Sequence, residues 1–353
     1  MRHITGCESR GTPNHAAPGN ALLSSTSSEQ RELPSPVAPT LKALIRHVVV
    51  GGLWHPVKRR AEQELISELT QGRYSSFPFI SPDTFRALCD VVIEGTEVIR
   101  RPSMATRTLI FFDLSEIEGT ETSFEDTASL KVLSRELDDS NELPVVIMSH
   151  GDLVPSQYLL SEIARRAAMV FSINLTEETD RIRAIPLGLE NMSRNINGRL
   201  RDYFQHQGDP ERSPRTRDVF TAFEPDNNPT VRGPLVEILR HSRFGWNSRR
   251  MLPDRYREAV KESLFVLSPP GRGLDCHRTW EAIYLGAVPV VLEGSLPEGL
   301  TANLPIHSVT SYEAFLNLPH RDMVDLFHEV RSLNPRKAYM PFWVETVLAN
   351  AHE

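Results

Sequence analysis

Cysteine is scarce in this chain: Cys7, Cys89 and Cys276 are far apart in 353 residues. That spacing offers neither a disulfide framework nor a zinc ligand set, and a reducing, cytoplasmic setting is expected. No run approaches the ~18 apolar residues of a membrane-spanning helix. The longest early run, Val48–Trp54, is too short and too late for a secretory core. No integral membrane segment is therefore expected, and the sequons at Asn174 and Asn191 are read as chance. An excess of positive charge is also missing. Lys+Arg is 39 against 46 Asp+Glu, a net charge of −7, so a nucleic-acid partner is not expected. The 12 histidines show no His-x-x-x-His spacing, and no Asp-x-Asp triplet occurs, so no metal site is expected.

What is present is core material, 40% hydrophobic and 24% charged residues, at a length that suits two domains. Residues 1–38, rich in Ser, Pro and Gly, read as a disordered leader. Apolar spacing predicts helices at Lys58–Gln71 and Asp83–Gly95, the second started by Ser81-Pro82-Asp83. β-rich runs at Thr108–Leu114, Pro144–Ser149 and Met169–Leu175 alternate with helical patterns at Glu125–Leu137 and Gln157–Arg166. After a polar, hinge-like stretch at Gly198–Arg217 the alternation restarts and continues to the end of the chain. The expected fold class is α/β, two Rossmann-like domains facing across a cleft, at residues 39–205 and 206–353.

The most informative stretch is Ser263–Gly294, which reads strand, glycine loop, helix, strand. Gly271 and Gly273 permit close backbone approach. The loop opens a helix, whose free N–H groups and dipole favour an anion such as a diphosphate. Arg272 and Arg278 supply charge-assisted bonds. On that helix Thr279, Trp280, Ile283 and Tyr284 form a core face, while Arg278 and Glu281 share the other side and are close enough to touch. Gly286 ends the helix as a C-cap. Arg232, in the first turn of an earlier predicted helix, reads equally as a solvated arginine or as a further cation for the same anion.

Here the chain resembles the exostosin-like glycosyltransferases, a family of two-Rossmann (GT-B) architecture. The shared pattern is carried by Pro270, Gly271, Gly273, Asp275, Arg278, Trp280, Glu281 and Ala282, then Gly286 and Pro289. It is specific over that stretch and weaker across Phe77–Phe315. The resemblance implies a nucleotide-sugar donor held in the C-terminal domain. Gly271, Gly273 and Arg278 would sit near its diphosphate, and Glu281 would hold ribose or donor-sugar hydroxyls.

In the first half, PVVIMSHGD places His150 and Asp152 at the end of a predicted strand, the ligand side of an open α/β sheet. Either residue is a candidate base for deprotonating an acceptor hydroxyl. IPLGLEN, Ile185–Asn191, is similar to a family segment, with Gly188 turning into the cleft and Glu190 near a substrate. Asn191 reads as a turn cap and Asp83 as a helix cap. The resulting expectation is a metal-independent sugar transfer from a nucleotide-diphosphate donor to a glycan hydroxyl, with no cofactor beyond that co-substrate, and the resemblance implies inversion. Two other classes stay open: a non-catalytic nucleotide- or glycan-binding protein on the same fold, and a Rossmann oxidoreductase, which the missing third glycine disfavours.

Overall fold

Strands and helices are interspersed through two sheets. The computed structural model describes residues 76–103, 105–117, 123–191, 203, 215–247 and 251–352, all within one compact unit, Val37–Glu353. The expected leader, the expected helix at 58–71 and most of the expected hinge lie outside the described residues.

The first sheet is built from β1 (Val91–Glu94), β2 (Glu97–Arg100), β3 (Leu109–Asp113), β4 (Val145–Ser149), β5 (Met169–Ser172) and β6 (Ile182–Ala184), in the order β2-β1-β3-β4-β5-β6. All neighbours run parallel except the β1–β2 hairpin. Helices α1 (Pro82–Leu88), α2 (Ala128–Asp138) and α3 (Gln157–Ala164) belong to this half. β3 and β4 are buried along their whole length, which their unbroken apolar sequences require. The hairpin corrects the expected helix over Asp83–Gly95. That helix stops at Leu88, and the β-branched Val91, Val92 and Ile93 pair as a strand before Gly95 turns the chain at φ 59°.

The second sheet is wholly parallel, in the order β10-β9-β8-β7. Its strands are β7 (Arg217–Phe220), β8 (Ser263–Leu267), β9 (Val288–Leu292) and β10 (His307–Val309). With them come α4 (Pro229–His241), α5 (Pro253–Lys261), α6 (His277–Tyr284), the short α7 (Glu298–Thr301), α8 (Tyr312–Leu316) and α9 (His320–Arg331). Gly286 ends α6 as expected. It sits at φ 80° with its N–H on Ile283 O, while Ala287 N–H reaches Ala282 O, a Schellman closure.

The final helix, α10 (Met340–His352), returns to the first sheet. Arg107 N–H donates to Ala351 O at 2.9 Å, and Trp343 meets Phe85 edge-on. Residues 78–80 tie the returning chain to α6: Met340 N–H bonds Pro78 O, and Tyr284 Oη accepts Ile80 N–H while donating to Ala338 O. Ile80 O in turn accepts the Leu189 N–H.

Gly188 makes that last contact possible. Its φ is 73°, and a Cβ there would lie 2.2 Å from Ile80 O. Gly294 has a similar φ of 75° but open space around it. Gly294→Ala should cost only the backbone strain, about 1 kcal/mol. Gly188→Ala should cost clearly more, on the order of 2–4 kcal/mol, because backbone must also move. Urea denaturation of the two variants checks the difference.

Candidate functional site

Two strand ends and one helix start supply the candidate chemistry. Asp113 ends β3 and pairs in register with Ser149, the end of β4. Beyond Ser149 the backbone takes two left-handed residues in succession, His150 at φ 72° and Gly151 at φ 89°. A non-glycine residue in that region is uncommon and marks a constrained position. Gly151 is required there, since a Cβ would meet the Ser115 backbone at 2.8 Å. The turn swings His150 over the end of β3, where Nδ1 lies 2.9 Å from Asp113 Oδ2. Asp113 Oδ1 is held by Ser115 N–H at 2.7 Å, so the carboxylate is fixed at both oxygens.

Burial pushes Asp113 up, but the His150 hydrogen bond and charge and the Ser115 bonds outweigh it, and its pKa is lowered. An ionised carboxylate only accepts, so His150 Nδ1 carries the proton and Nε2 is left as the basic nitrogen. The Asp113 hydrogen bond raises the His150 pKa above 6.5, against desolvation, and the charges of Asp113, Glu190 and Asp83 add to it.

His150 lies in the wall of a cavity of about 260 Å³, with Asp83, Arg86, Glu94 and Asn191 as its other polar lining residues. Asp83 is not the helix cap. Ser81 caps α1 by accepting Thr84 N–H, and Asp83 sits in the first turn with its own N–H on Asn191 Oδ1 at 3.3 Å. Asn191 therefore braces α1. Asp152, the other base candidate, is exposed on the loop beyond His150, outside the cavity wall.

Segment 187–190 packs against the start of α6. Leu187 N–H donates to Asp275 Oδ2 at 2.8 Å, His277 Nδ1 lies 2.8 Å from Gly188 O, and His277 Nε2 is 3.7 Å from Glu190 Oε1. Asp275, 4% exposed, also accepts from Cys276 N–H at 2.7 Å and from Trp280 Nε1–H at 2.9 and 2.8 Å. Burial pushes its carboxyl up to about 6, although every hydrogen bond to it favours the ionised form. Asp275 N–H donates to Asn174 Oδ1 at 2.9 Å, and Asn174 Nδ2 donates to Leu153 O.

The glycines of the loop are small for reasons within the protein. A Cβ on Gly273 would lie 2.8 Å from Asn174 Nδ2, and one on Gly271 would lie 2.9 Å from Arg232 Nη2. Arg232 is 3% exposed and donates to Pro270 O at 2.9 Å, Pro269 O at 3.0 Å and Glu224 O at 2.7 Å. Its guanidinium is committed to carbonyls, so it braces the loop rather than reaching out of it. Burial and then the nearby Arg278 charge lower its pKa.

Helix α6 is enclosed on both sides, because Ala282 and Leu285 are buried along with the expected core face. Arg278 and Glu281 do not pair. Glu281 accepts Tyr203 Oη–H at 2.9 Å on Oε1 and Tyr256 Oη–H at 2.8 Å on Oε2. Arg278 keeps a buried Nε with no hydrogen-bond partner and stands close to the Arg232 charge. Arg272 is exposed at the loop tip.

The fold thus brings together His150, Glu190, Asp83 and Asn191, and places the Gly188–Glu190 segment on Asp275 and His277. It leaves Asp152 and Arg272 in solvent. Asp113 was missed in the sequence. Its signal was an acid closing the apolar run TLIFFDL, but its partner lies 37 residues away. Among the described residues, no helix is long and apolar enough to cross a membrane, and no three His, Cys, Asp or Glu side chains gather as a metal site. No family model and no curated protein matches the chain.

Two outcomes are expected. In a proton NMR titration the His150 imidazole should titrate above 6.5 and move down in Asp113→Asn, which removes the charge that favours imidazolium. The pair's contribution to stability is complete below pH 6.5 on the histidine side and lost as pH rises through the raised folded value. Asp275→Ala strands buried donors and should cost roughly 2–4 kcal/mol in urea denaturation, with Asp275→Asn, which keeps an acceptor, costing less.

Proposed function

We propose that the chain is a glycosyltransferase that moves a sugar from a nucleotide-diphosphate donor to a hydroxyl of a glycan. The observation that carries this reading is the His150–Asp113 pair, with His150 in the wall of a cavity beside the strand ends of the first sheet. Asp113 orients the ring and holds the tautomer; His150 does the proton transfer. Support for a donor comes from Arg278, whose buried Nε lacks a partner at the start of α6, where N–H groups and the helix dipole add positive potential.

In this mechanism the acceptor O–H gives its proton to His150 Nε2 as the oxygen attacks the anomeric carbon. The bond from that carbon to the phosphate oxygen breaks, and the nucleoside diphosphate leaves with the electron pair. Arg278 and the α6 N-terminus take up the charge developing on the leaving group. A single displacement of this kind inverts the anomeric centre. Arg232 holds the loop in shape, and Glu281, bonded to two phenols, fixes the helix face behind it.

A second reading, a glycan-binding protein without turnover, is favoured by one observation. The Cβ-facing sides of Gly271 and Gly273 are filled by Arg232 and Asn174 rather than open to a ligand.

Incubating the full chain with a panel of nucleotide sugars and glycan acceptors separates the two. Transfer that falls about 10²–10⁴-fold in His150→Ala is the expected result. Arg278→Ala should weaken nucleoside-diphosphate binding about tenfold in calorimetry, the scale of one lost charge-assisted contact. Binding with no turnover of any donor selects the second reading.

A further inference from the structure

Two histidines, one on each side of the junction between the sheets, are held in the same way. His150 turns Nδ1 to Asp113 Oδ2, and His277 turns Nδ1 to the Gly188 carbonyl at 2.8 Å, an oxygen that only accepts. In each ring Nδ1 carries the fixed proton, so Nε2 is the nitrogen left to exchange one. Glu190 acts on both. Its Oε1 lies 3.7 Å from His277 Nε2, and its charge also favours the protonated form of His150. That separation is an ion-pair distance, longer than a hydrogen bond, so the carboxylate is not locked onto His277. The backbone on either side of it is locked: Leu189 N–H donates to Ile80 O, and Asn191 Oδ1 accepts the Asp83 N–H. A flexible carboxylate on a fixed backbone can follow whichever imidazole is charged. The side chains of His150, His277 and Glu190 are 28%, 31% and 22% exposed, so the cluster exchanges protons with water. Among the described residues, Asp113 from β3 and Asp83 from α1 also favour imidazolium at His150, with Arg86 and Glu94 in the same cavity wall. Asp275 acts on His277, and Arg278 follows His277 in α6. These charges bias one ring each, whereas Glu190 biases both.

We propose that Glu190 is a positioning residue shared by His150 and His277, and that it couples proton uptake at His150 to proton release at His277. One carboxylate offsets one imidazolium. Starting from protonated His277, a proton taken up by His150 Nε2 draws Glu190 toward that ring. His277 is then less well compensated and gives its Nε2 proton to water. One N–H bond forms and one breaks, and the summed charge of the three groups is unchanged. Naming an acceptor hydroxyl as the source of the incoming proton rests on the transfer reading above; the coupling itself does not.

The test is an NMR titration of the full chain carrying isotope-labelled histidine, without any donor, each ring being assigned by its loss in His150→Gln or His277→Gln. His277→Gln removes the competing charge and should raise the His150 midpoint by about half a pH unit. Glu190→Gln removes the shared charge and should lower that midpoint by about as much. In the double variant the His277 substitution should no longer move His150, because the carboxylate that linked the two rings is gone. Loss of structure cannot move one midpoint in opposite directions, and circular dichroism checks each variant. If Glu190→Gln fails to fold, the sign of the His277→Gln effect decides alone. A His150 midpoint that stays put or falls in His277→Gln overturns the proposal, and so do effects that simply add in the double variant. Coupling in a chain that turns over no donor upholds the proposal and removes only the transfer reading. Transfer that depends on His150 in a chain without the coupling does the reverse.

Discussion

One buried carboxylate organises the junction between the two sheets. Asp275 accepts from Leu187 on the exit of the first sheet and from Cys276 and Trp280 at the start of α6. Burying a charge is costly unless it is fully hydrogen-bonded. Here each donor is fixed by an element that is itself packed, Trp280 being fully buried and Leu187 lying one residue before the Gly188 turn. The cost of burial is thus spread over rigid groups. The position of segment 187–191 follows from it, and with it Glu190, Asn191 and the near side of the His150 cavity.

The same logic explains why the corner that looked most like a ligand loop is so densely occupied. A glycine permits close approach but does not say what approaches. At Gly271 the neighbour is the Arg232 guanidinium, and at Gly273 it is the Asn174 amide. Both serve backbone groups of the sharp loop: Arg232 the Pro269 and Pro270 carbonyls, Asn174 the Asp275 N–H. Arg278 keeps a buried Nε without a partner, while its side chain also bonds the Tyr256 phenol.

How much was legible in the chain depended on how local the determining contacts are. The strand–loop–helix–strand unit from β8 to β9 followed from apolar runs, loop glycines and the Gly286 cap, all of which act within a few residues. The β1–β2 hairpin was hidden because the helix start at Ser81 is real, while the switch to strand at Val91 depends on pairing with β3. His150 was visible as a strand-end histidine. Its partner Asp113 was not, because only the β3–β4 register sets the two ends level. Arg232 and Glu281 were recognisable as charges near the loop. That they turn inward to carbonyls and phenols depends on side-chain packing that no periodicity encodes.

The return of α10 has a consequence for assembly. Trp343, Val344, Val347 and Ala351 are buried in the same core as β3 and β4, yet they follow the entire second sheet in the chain. During synthesis, therefore, the earlier half waits with an apolar face uncovered until the later half has emerged. That ordering makes its burial late, non-local and vulnerable to premature association.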